Sequence, residues 1–455
     1  MTKKLSPLGA ALALAATVST ARSAHATQPL EAFIERANTQ SFEARESGAL
    51  VGQREAEADA ALGGLLPTAS ARGVYTRNQY EASFGGRYLQ RKNQFDGYLQ
   101  LDVPLVNISN YHRYKAGKAL AEATAEQRAA TRLDVGRNVT RAYFNFLGAS
   151  ALVRSAELSV KATEDNLRVV QARRDAGAAT DLDRERALAN VERARQDVAD
   201  AELSRDLAAR QLETLSGLTP TPAESFPVDD LHEEAPMQTW LSQSEQTPAA
   251  KAARSAQIAA EHSRKAASTA LYPTLSGTAT ERFTNASGFT PSPIYTFQLV
   301  AQIRFDYATL ATSRAQAFAA EASGIRSERT TRSLQDATFE AYRRVQTNIV
   351  KCRAARSQAA AAARASALSS ERYAAGVATQ LDVTQAQRDA FLADASRIMA
   401  DADLAAARAQ LRLSVAQPPT AGAARTSEPL TPTPSAAVNP TPAPSVPAQP
   451  VERTP

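Results

Sequence analysis

The segment Gln94–Leu105 alternates apolar and polar side chains at every second residue, and no other feature limits the possible folds as strongly. Phe95, Leu99 and Leu101 fall on one face of this segment, and Asp96 and Asp102 fall on the other. Period-2 alternation over about twelve residues predicts a β-strand with one apolar face and one wet face. A similar pattern returns at Ile294–Tyr307, roughly two hundred residues later, so the chain carries this strand twice.

Each of these strands has a partner immediately before it in the chain. Thr274–Thr284 alternates threonine and serine with apolar residues, and Thr68–Tyr80 alternates less cleanly. We therefore expect two hairpins, with strands at about 68–80, 94–106, 273–284 and 294–307. Strands of ten or more residues can cross a bilayer when tilted. A soluble pair of amphipathic hairpins is the alternative, but the rest of the chain offers no other surface for their apolar faces.

The two ends of the chain differ in composition from the rest. Residues 1–26 have the pattern of a cleavable secretory signal: Lys3 and Lys4, an apolar run at Leu8–Val18, and Ala24-His25-Ala26 before the expected cleavage. That apolar run is too short for a spanning helix. At the other end, eleven of the 23 prolines lie in the last 38 residues. We therefore expect 417–455 to be an extended or disordered Pro-rich tail.

Charge and composition exclude several classes of function. The formal charge of the whole chain is +5. Cleavage of the signal segment would remove Lys3, Lys4 and Arg22 and no acidic residue, so the mature chain would carry less positive charge. The basic pI therefore does not indicate nucleic acid as a partner. The sequence has no phosphate-binding glycine loop or nucleophile motif, and its histidines lack metal-ligand spacing. Cys352 is the single cysteine, so no disulfide can form within the chain. We expect no catalytic residue, no cofactor and no metal.

Long helices should occupy most of the remaining chain. The segment 116–215 contains no proline, and neither glycine nor proline lies between Gly324 and Gly376. A helix from about 308 to 374 would be on the order of 100 Å long. The predicted buried positions carry small residues at heptad-like spacing, which is typical of closely packed coiled coils: Leu188, Val191, Ala194, Val198, Ala201, Ala208, Leu212 and Leu215.

The order of these elements is the same in both halves of the chain, which indicates an internal duplication. The first repeat spans 27–217 and the second 249–416, and each runs short helix, two strands, long helix, turn and returning helix. A proline-containing connector, 218–248, joins them. The tip turns fall at 175–183 and 374–382.

Matching residues mark the two tip turns. Gly177 and Gly376 suit a left-handed helix end, and Thr180 and Thr379 suit the N-cap of the returning helix. Any turn between two antiparallel helices needs residues that end the first helix and begin the second, which explains these four residues. Such a turn does not require an aspartate three residues after each threonine, yet Asp183 and Asp382 both occupy that position.

Together these motifs resemble the outer membrane efflux family, the TolC-like exit ducts of Gram-negative bacteria. The resemblance extends to about Ala416, and four segments carry it: Leu66-Pro67-Thr68, Tyr272-Pro273-Thr274, Leu101-Asp102-Val103-Pro104-Leu105 and Tyr373–Val383. It implies a mixed fold of all-α and transmembrane β-barrel parts. In this fold a trimer shares one twelve-stranded barrel, four strands per chain, continued by a long α-helical coiled-coil periplasmic tunnel. Four strands alone cannot close a barrel, and open edges in hydrocarbon leave backbone groups unpaired.

The same resemblance implies a function and partners. The chain would be an outer-membrane exit duct of a tripartite efflux or type I secretion system, extending into the periplasm and conducting substrate passively. Its partners would be two further copies in a homotrimer, a periplasmic adaptor (membrane fusion protein), an inner-membrane pump and outer-membrane lipid, with no nucleic acid. An exported structural coiled-coil or adhesin protein without a channel is the alternative.

The resemblance also assigns roles to the tip residues. It implies a pore gate at Asp382, Asp183, Tyr373 and Gln380, and a helix-tip turn that contacts the adaptor at Gly177, Thr180, Gly376 and Thr379. Some family members carry a basic link residue where this chain has Ala378, and Arg174 replaces an aromatic residue in the first copy. A closed state would then depend on a link between Tyr373 and Asp183.

Overall fold

The computed structural model describes residues 28–221, 225–419 and 427–429. Within them the helices are α1 Leu30–Gln40, α2 Phe42–Gly63, α3 Ile108–Asp175, α4 Asp181–Ser216, α5 Met237–Ser244, α6 Pro248–Thr269, α7 Tyr307–Ala374 and α8 Gln380–Ser414. The strands are β1 Thr68–Arg77, β2 Ala82–Phe84, β3 Arg87–Gln90, β4 Asn93–Val106, β5 Ser225–Pro227, β6 Thr274–Thr284, β7 Ile294–Gln302 and β8 Ser427–Pro429. The predicted signal peptide, 1–26, lies outside the described residues, as do 420–426 and 430–455 of the predicted tail.

The four long strands form one antiparallel sheet in the order β1-β4-β6-β7. Both predicted hairpins are present, and β4 pairs with β6, so one sheet joins the two halves of the chain. Two strands end earlier than predicted. β1 stops at Arg77, because the Asn78 side chain then bonds to the Arg91 carbonyl at 2.8 Å. β7 stops at Gln302, because Asp306 caps α7 by accepting a 2.7 Å hydrogen bond from the Thr309 backbone.

The two faces of the sheet differ as the alternation predicts. On one face the apolar side chains are uncovered in the single chain, with Leu99 50% and Phe297 77% exposed. On the other face the polar side chains bond to one another. Asp96 is only 7% exposed and forms a 2.7 Å ion pair with Arg282, while Asp102 accepts a 2.9 Å hydrogen bond from Thr278. The sheet therefore has an open apolar side and a hydrogen-bonded polar side.

The helices α3 and α7 each contain 68 residues, which gives a length of about 100 Å. α4 and α8 return along them, as predicted. Small residues let the helices approach closely, because a Cβ on Gly148 would lie 3.2 Å from the Ala402 Cβ, and one on Gly117 would lie 3.3 Å from the Ala58 Cα. The positions predicted to be buried on α4 are buried or half-buried, except Leu188, which is 40% exposed while its neighbour Ala187 is buried.

Two details of the predicted domains need correction. Each repeat was expected to begin with one short helix, but the first begins with α1 and α2, because Ser41 ends α1 and caps α2 through a 3.2 Å hydrogen bond from Ala44. The second begins with the single helix α6, and α5 lies within the connector, 218–248. The tail, 417–455, was expected to be extended or disordered, but its residues 427–429 form strand β8, which pairs with β5 of the connector. Backbone hydrogen bonds to the connector supply the partner that the tail's composition does not reveal.

Among the helices of the described ranges, none is both long enough and apolar enough to span a membrane.

Candidate functional site

The two tip turns, α3–α4 and α7–α8, have the same backbone geometry. Gly177 and Gly376 have φ of +71° and +79°, the left-handed region that only glycine adopts without strain. Across each turn a backbone N–H returns to the helix end, from Ala178 to the Arg173 carbonyl at 2.7 Å and from Val377 to the Arg372 carbonyl at 2.9 Å. The structure thus confirms that each glycine is the left-handed residue directly after the C-cap of its helix.

Each returning helix begins with a reciprocal capping box. The Thr379 hydroxyl accepts a hydrogen bond from the Asp382 backbone at 3.3 Å, and the Asp382 carboxylate accepts from the Thr379 backbone at 2.9 Å and from its hydroxyl at 2.7 Å. In the other turn the Thr180 hydroxyl accepts a hydrogen bond from the Asp183 backbone at 3.2 Å, and the Asp183 carboxylate accepts from the Thr180 backbone at 3.1 Å and from its hydroxyl at 2.7 Å. The predicted N-caps are confirmed. The duplicated aspartates therefore have a structural role as well, because each completes a capping box.

Hydrogen bonding keeps both carboxylates ionised. Bonds from the backbone and then the side chain of Thr379 lower the pKa of Asp382, and bonds from the side chain and then the backbone of Thr180 lower the pKa of Asp183. Asp382 is exposed and Asp183 is half-buried. The tip of the α7–α8 hairpin therefore presents a negative charge to solvent at neutral pH through Asp382.

Removing one of these caps should loosen one tip without unfolding the bundle. Thr379→Ala is expected to cost about 1 kcal/mol locally and to speed amide exchange in the first turn of α8 about fivefold. Hydrogen–deuterium exchange by mass spectrometry measures this. Thr330→Ala, in the middle of α7 where the hydroxyl bonds only to the Arg326 carbonyl, is the matched control. Equal changes in both variants would contradict the capping role.

Acidification should have a similar local effect on both tips. Capping lowers the pKa of Asp183 and Asp382 in the folded state from their ordinary value of 3.8. Their stabilising contribution is therefore complete above that value and is lost as the pH falls through the lower, folded-state pKa. We expect exchange at both tips, corrected for intrinsic rates, to rise only below about pH 4. A rise between pH 7 and 5 would contradict this assignment.

The other two predicted gate residues, Tyr373 and Gln380, are buried within the single chain. Tyr373 is 6% exposed and packs against Val170, Ala187 and Val383, and this burial raises the pKa of its hydroxyl. Gln380 is 1% exposed and donates a 3.4 Å hydrogen bond to Thr384. Within the described residues the Tyr373 hydroxyl has no hydrogen-bond partner, so the expected link to Asp183 is not formed. Gln380 has a packing role rather than a place on a pore wall.

Arg173, which the sequence analysis did not single out, joins the two tips. Its guanidinium lies over the Tyr373 ring with Cζ 4.6 Å from the ring centroid, and its Nη1 donates a hydrogen bond to the Tyr373 carbonyl. Its Nη2 lies 3.7 Å from the place a Cβ would take on Gly376. We call Arg173 and Tyr373 the tip latch. Among the described residues Arg174, by contrast, forms ion pairs only within its own hairpin, with Asp175 at 3.1 Å and with Asp181 at 3.7 Å.

Further polar contacts hold α8 against the first hairpin above the latch. Asn190 on α4 donates a 3.2 Å hydrogen bond to the Gln387 side chain, and Gln387 donates one of 3.3 Å to the Ala162 carbonyl on α3. Ser155 bonds to Asp394 at 2.5 Å. The two hairpins therefore meet in a series of polar contacts that ends at the latch.

One group of potential metal ligands lies in the connector, far from the tips in sequence. Ligand atoms of Asp229, Asp230 and His232 lie within 4.8 Å of one another. Arg408 of α8 already occupies this group, with its Nε 2.7 Å from Asp229 and its Nη1 2.6 Å from Glu234 and 3.0 Å from His232 Nε2. If Nε2 accepts from Arg408, Nδ1 carries the proton that bonds to Asp230. A cation would have to displace the arginine, so the group anchors the connector to α8.

Comparison with known proteins decides the family. The family described as outer membrane efflux protein matches residues 33–218 and 242–417, a large majority of the chain. The chain belongs to the outer membrane efflux protein family. The two matched stretches correspond closely to the two repeats, so this efflux protein carries the family pattern in both halves.

Solved structures share the fold of this efflux protein. CusC has a TM-score of 0.75 at 18% identity, covering 85% of this chain and 92% of its own. The CmeC outer membrane channel of Campylobacter jejuni has a TM-score of 0.74 at 16% sequence identity, and the match covers 86% of each chain. The open-state MtrE outer membrane channel of Neisseria gonorrhoeae has a TM-score of 0.71 at 21% identity, and the match covers 86% of this chain and 90% of the MtrE chain. No curated protein in the comparison matches the chain.

The family and the shared fold confirm several predictions. The efflux protein has the mixed fold of outer-membrane channels, lies in the outer membrane and extends into the periplasm. The family and the related structures are channels rather than enzymes, which agrees with the lack of a catalytic motif.

Proposed function

We propose that this outer membrane efflux protein is the passive exit duct of a tripartite efflux or type I secretion system. Substrate from an inner-membrane pump and a periplasmic adaptor passes through it to the exterior. The observation that carries the proposal is a sheet with one open apolar face and one polar face, attached to helices about 100 Å long. This arrangement suits a barrel wall between lipid and water, continued by a tunnel.

A homotrimer accounts for the open edges of the sheet. Within the described residues β1 and β7 each pair on one side only. An unpaired strand edge in hydrocarbon costs several kcal/mol for each unsatisfied backbone group. Three such sheets, joined β7 to β1, would give twelve strands and no free edge.

Uncovered apolar residues on the helices support the same assembly. Phe318, Ile325 and Phe339 on α7 are 71%, 61% and 45% exposed, and they stand seven and fourteen residues apart. Heptad spacing of exposed apolar side chains on a long helix fits a neighbouring helix of another protomer. Leu203 and Leu207 on α4 are also exposed and one helical turn apart.

The tip turns are the proposed contact surface for the adaptor. Gly177, Thr180, Gly376 and Thr379 lie at the end of the bundle and are exposed. Beside them, Leu182, Val377 and Leu381 are 58%, 65% and 57% exposed. Exposed apolar side chains around two rigid, capped turns suit the tip of a partner's helices.

The proposed gate combines Asp382 with the tip latch. Symmetry of a trimer would bring three Asp382 carboxylates around one axis, where they would favour cations. Asp183, which is half-buried, would add a further negative charge near this ring of Asp382 carboxylates. The latch would hold the two hairpins of each protomer together in the closed state.

Single-channel recordings test the duct and its gate together. Reconstituted protein should conduct, and Asp382→Asn should reduce cation selectivity without reducing the yield of trimer, because asparagine retains an oxygen that can complete the cap. Asp206→Asn on α4 is the control, since within the described part of the chain Asp206 forms an ion pair only with its neighbour Arg205, at 3.0 Å. Unchanged selectivity would leave Asp382 with its capping role alone.

Extraction behaviour separates the duct from the alternative protein class. A duct requires detergent for extraction and migrates as a trimer that dissociates on heating. A mature chain that is water-soluble and monomeric would support the exported coiled-coil or adhesin protein instead.

A further inference from the structure

A row of basic and aromatic side chains crosses the polar face of the sheet. Arg72 on β1 and Arg282 on β6 both stand directly opposite Tyr98 on β4, so the three side chains share one face. Each guanidinium lies over the Tyr98 ring, with the Cζ of Arg72 5.0 Å and the Cζ of Arg282 5.7 Å from the ring centroid. The electron-rich face of the ring attracts both cations and holds them at one level of the sheet. We call Arg72, Tyr98 and Arg282 the arginine row.

The two arginines of the row differ in their acidic partners. Arg282 forms an ion pair with Asp96 at 2.7 Å, and its Nε donates a second hydrogen bond to the same carboxylate at 3.1 Å. Asp96 is buried, so its charge is directed at this partner rather than at solvent. Arg72 is exposed, and within the ranges that the structure describes no carboxylate forms an ion pair with it. The arginine row therefore carries two positive charges against one negative charge, and the excess lies on Arg72.

The next carboxylate along this face, Asp102, is too far away to compensate Arg72. Asp102 stands opposite Thr68, which is four residues before Arg72 on β1 and therefore roughly 13 Å from it along the strand. This separation exceeds the Debye length of about 8 Å at physiological ionic strength. The Asp102 carboxylate also already accepts hydrogen bonds from the side chains of Gln100 and Thr278, at 2.8 and 2.9 Å. The positive charge of Arg72 is therefore a local feature of the polar face.

We propose that Arg72 binds anions inside the duct, and that the arginine rows of three protomers form a positively charged ring in the barrel. The ligands are solutes with carboxylate, sulfate or phosphate groups, because a guanidinium presents its donors in a fixed fork that fits an oxyanion. The contact with Tyr98 orders the Arg72 side chain in advance, so less conformational entropy is lost on binding. This inference rests on the proposed function, in which the polar face lines the interior of a trimeric barrel.

The ring would act separately from the proposed gate. Asp382 favours cations at the tip turns, whereas the arginine rows would favour anions in the barrel, at the other end of helices about 100 Å long. A charge of one sign between low-dielectric walls raises the local concentration of solutes of the opposite sign. Anionic solutes would therefore be retained in the barrel before they leave the duct.

Block of the single-channel current by citrate tests the proposal on the reconstituted, full-length protein. Citrate carries three carboxylates and is added at the same concentration to both chambers. We expect it to reduce the wild-type current, and Arg72→Gln to raise the half-blocking concentration about tenfold, because one cation is lost from each protomer. Arg72→Lys keeps the charge but not the fork, so it should restore part of the block.

Arg77→Gln is the matched control. Arg77 is exposed on the same strand, but it is five residues from Arg72 and therefore on the opposite face of the sheet. This variant makes the same change of charge and should be blocked as the wild type is. Equal effects of Arg72→Gln and Arg77→Gln would show a response to net charge and would overturn the binding role of Arg72.

The same recordings separate failure of the ring from failure of the duct. A wild-type protein that conducts but is not blocked by citrate, or an Arg72→Gln variant that is blocked as strongly as the wild type, would overturn the ring and leave the duct in place. A trimer that does not conduct would overturn the duct, and the ring with it.

Discussion

Leu99→Arg and Phe297→Arg are expected to prevent assembly of the trimer in the outer membrane, whereas Gln100→Arg is not. Leu99 and Phe297 lie on the open apolar face near the middle of β4 and β7, where they would contact lipid. Arginine at the midplane of a barrel's lipid face costs about 2–4 kcal/mol. Three protomers would each bear that cost. Heat-modifiable migration of the outer-membrane fraction on gels measures the assembled protein.

Gln100 provides a control one residue away on the same strand. It is half-buried on the polar face, and its amide bonds to the Asp102 carboxylate at 2.8 Å. An arginine there keeps an acidic partner, so assembly should continue. If Gln100→Arg and Leu99→Arg were equally defective, the faces would be assigned wrongly, or the sheet would not lie in a membrane.

The sequence predicts these strands well because the signal for an amphipathic strand is local. Alternation at Gln94–Leu105 reports which face each side chain takes whatever the strand pairs with. The pairing of β4 with β6 cannot be predicted in this way, because it joins residues almost two hundred positions apart in the chain. No pattern within a short segment indicates which distant strand will be its neighbour. The ends of β1 and β7 were missed for a related reason, since side-chain bonds of Asn78 and Asp306 end them.

The tip turns show the same division. Gly177, Gly376, Thr180 and Thr379 act within one turn of their own helix, so their roles can be predicted from sequence alone. The burial of Gln380 and the isolation of the Tyr373 hydroxyl depend on how α3 and α4 pack against α7 and α8. Arg173 gave no signal either, because a basic residue in the last turn of a helix is ordinary. Its partner lies 200 residues away.

Arg173→Ala is expected to raise the open population of the duct, because it removes the tip latch. The variant loses the stacking of a guanidinium on a mostly buried tyrosine ring and a charged hydrogen bond to the Tyr373 carbonyl. Together these contacts are worth about 2 kcal/mol. If the open state lacks them, the ratio of open to closed duct rises about thirtyfold. Open probability in planar-bilayer recordings measures this ratio.

Two companion variants isolate the latch from other effects at the tip. Arg174→Ala removes the adjacent positive charge, whose ion pairs in the described ranges are with Asp175 and Asp181 of its own hairpin, so gating should not change. Tyr373→Phe keeps the ring and the carbonyl that Arg173 contacts and removes only a hydroxyl that has no partner within the protomer, so this variant should also remain closed. Opening by Tyr373→Phe would show that a hydroxyl bond locks the duct. Equal opening by Arg173→Ala and Arg174→Ala would show that the tip responds to net charge. Either result would overturn the latch.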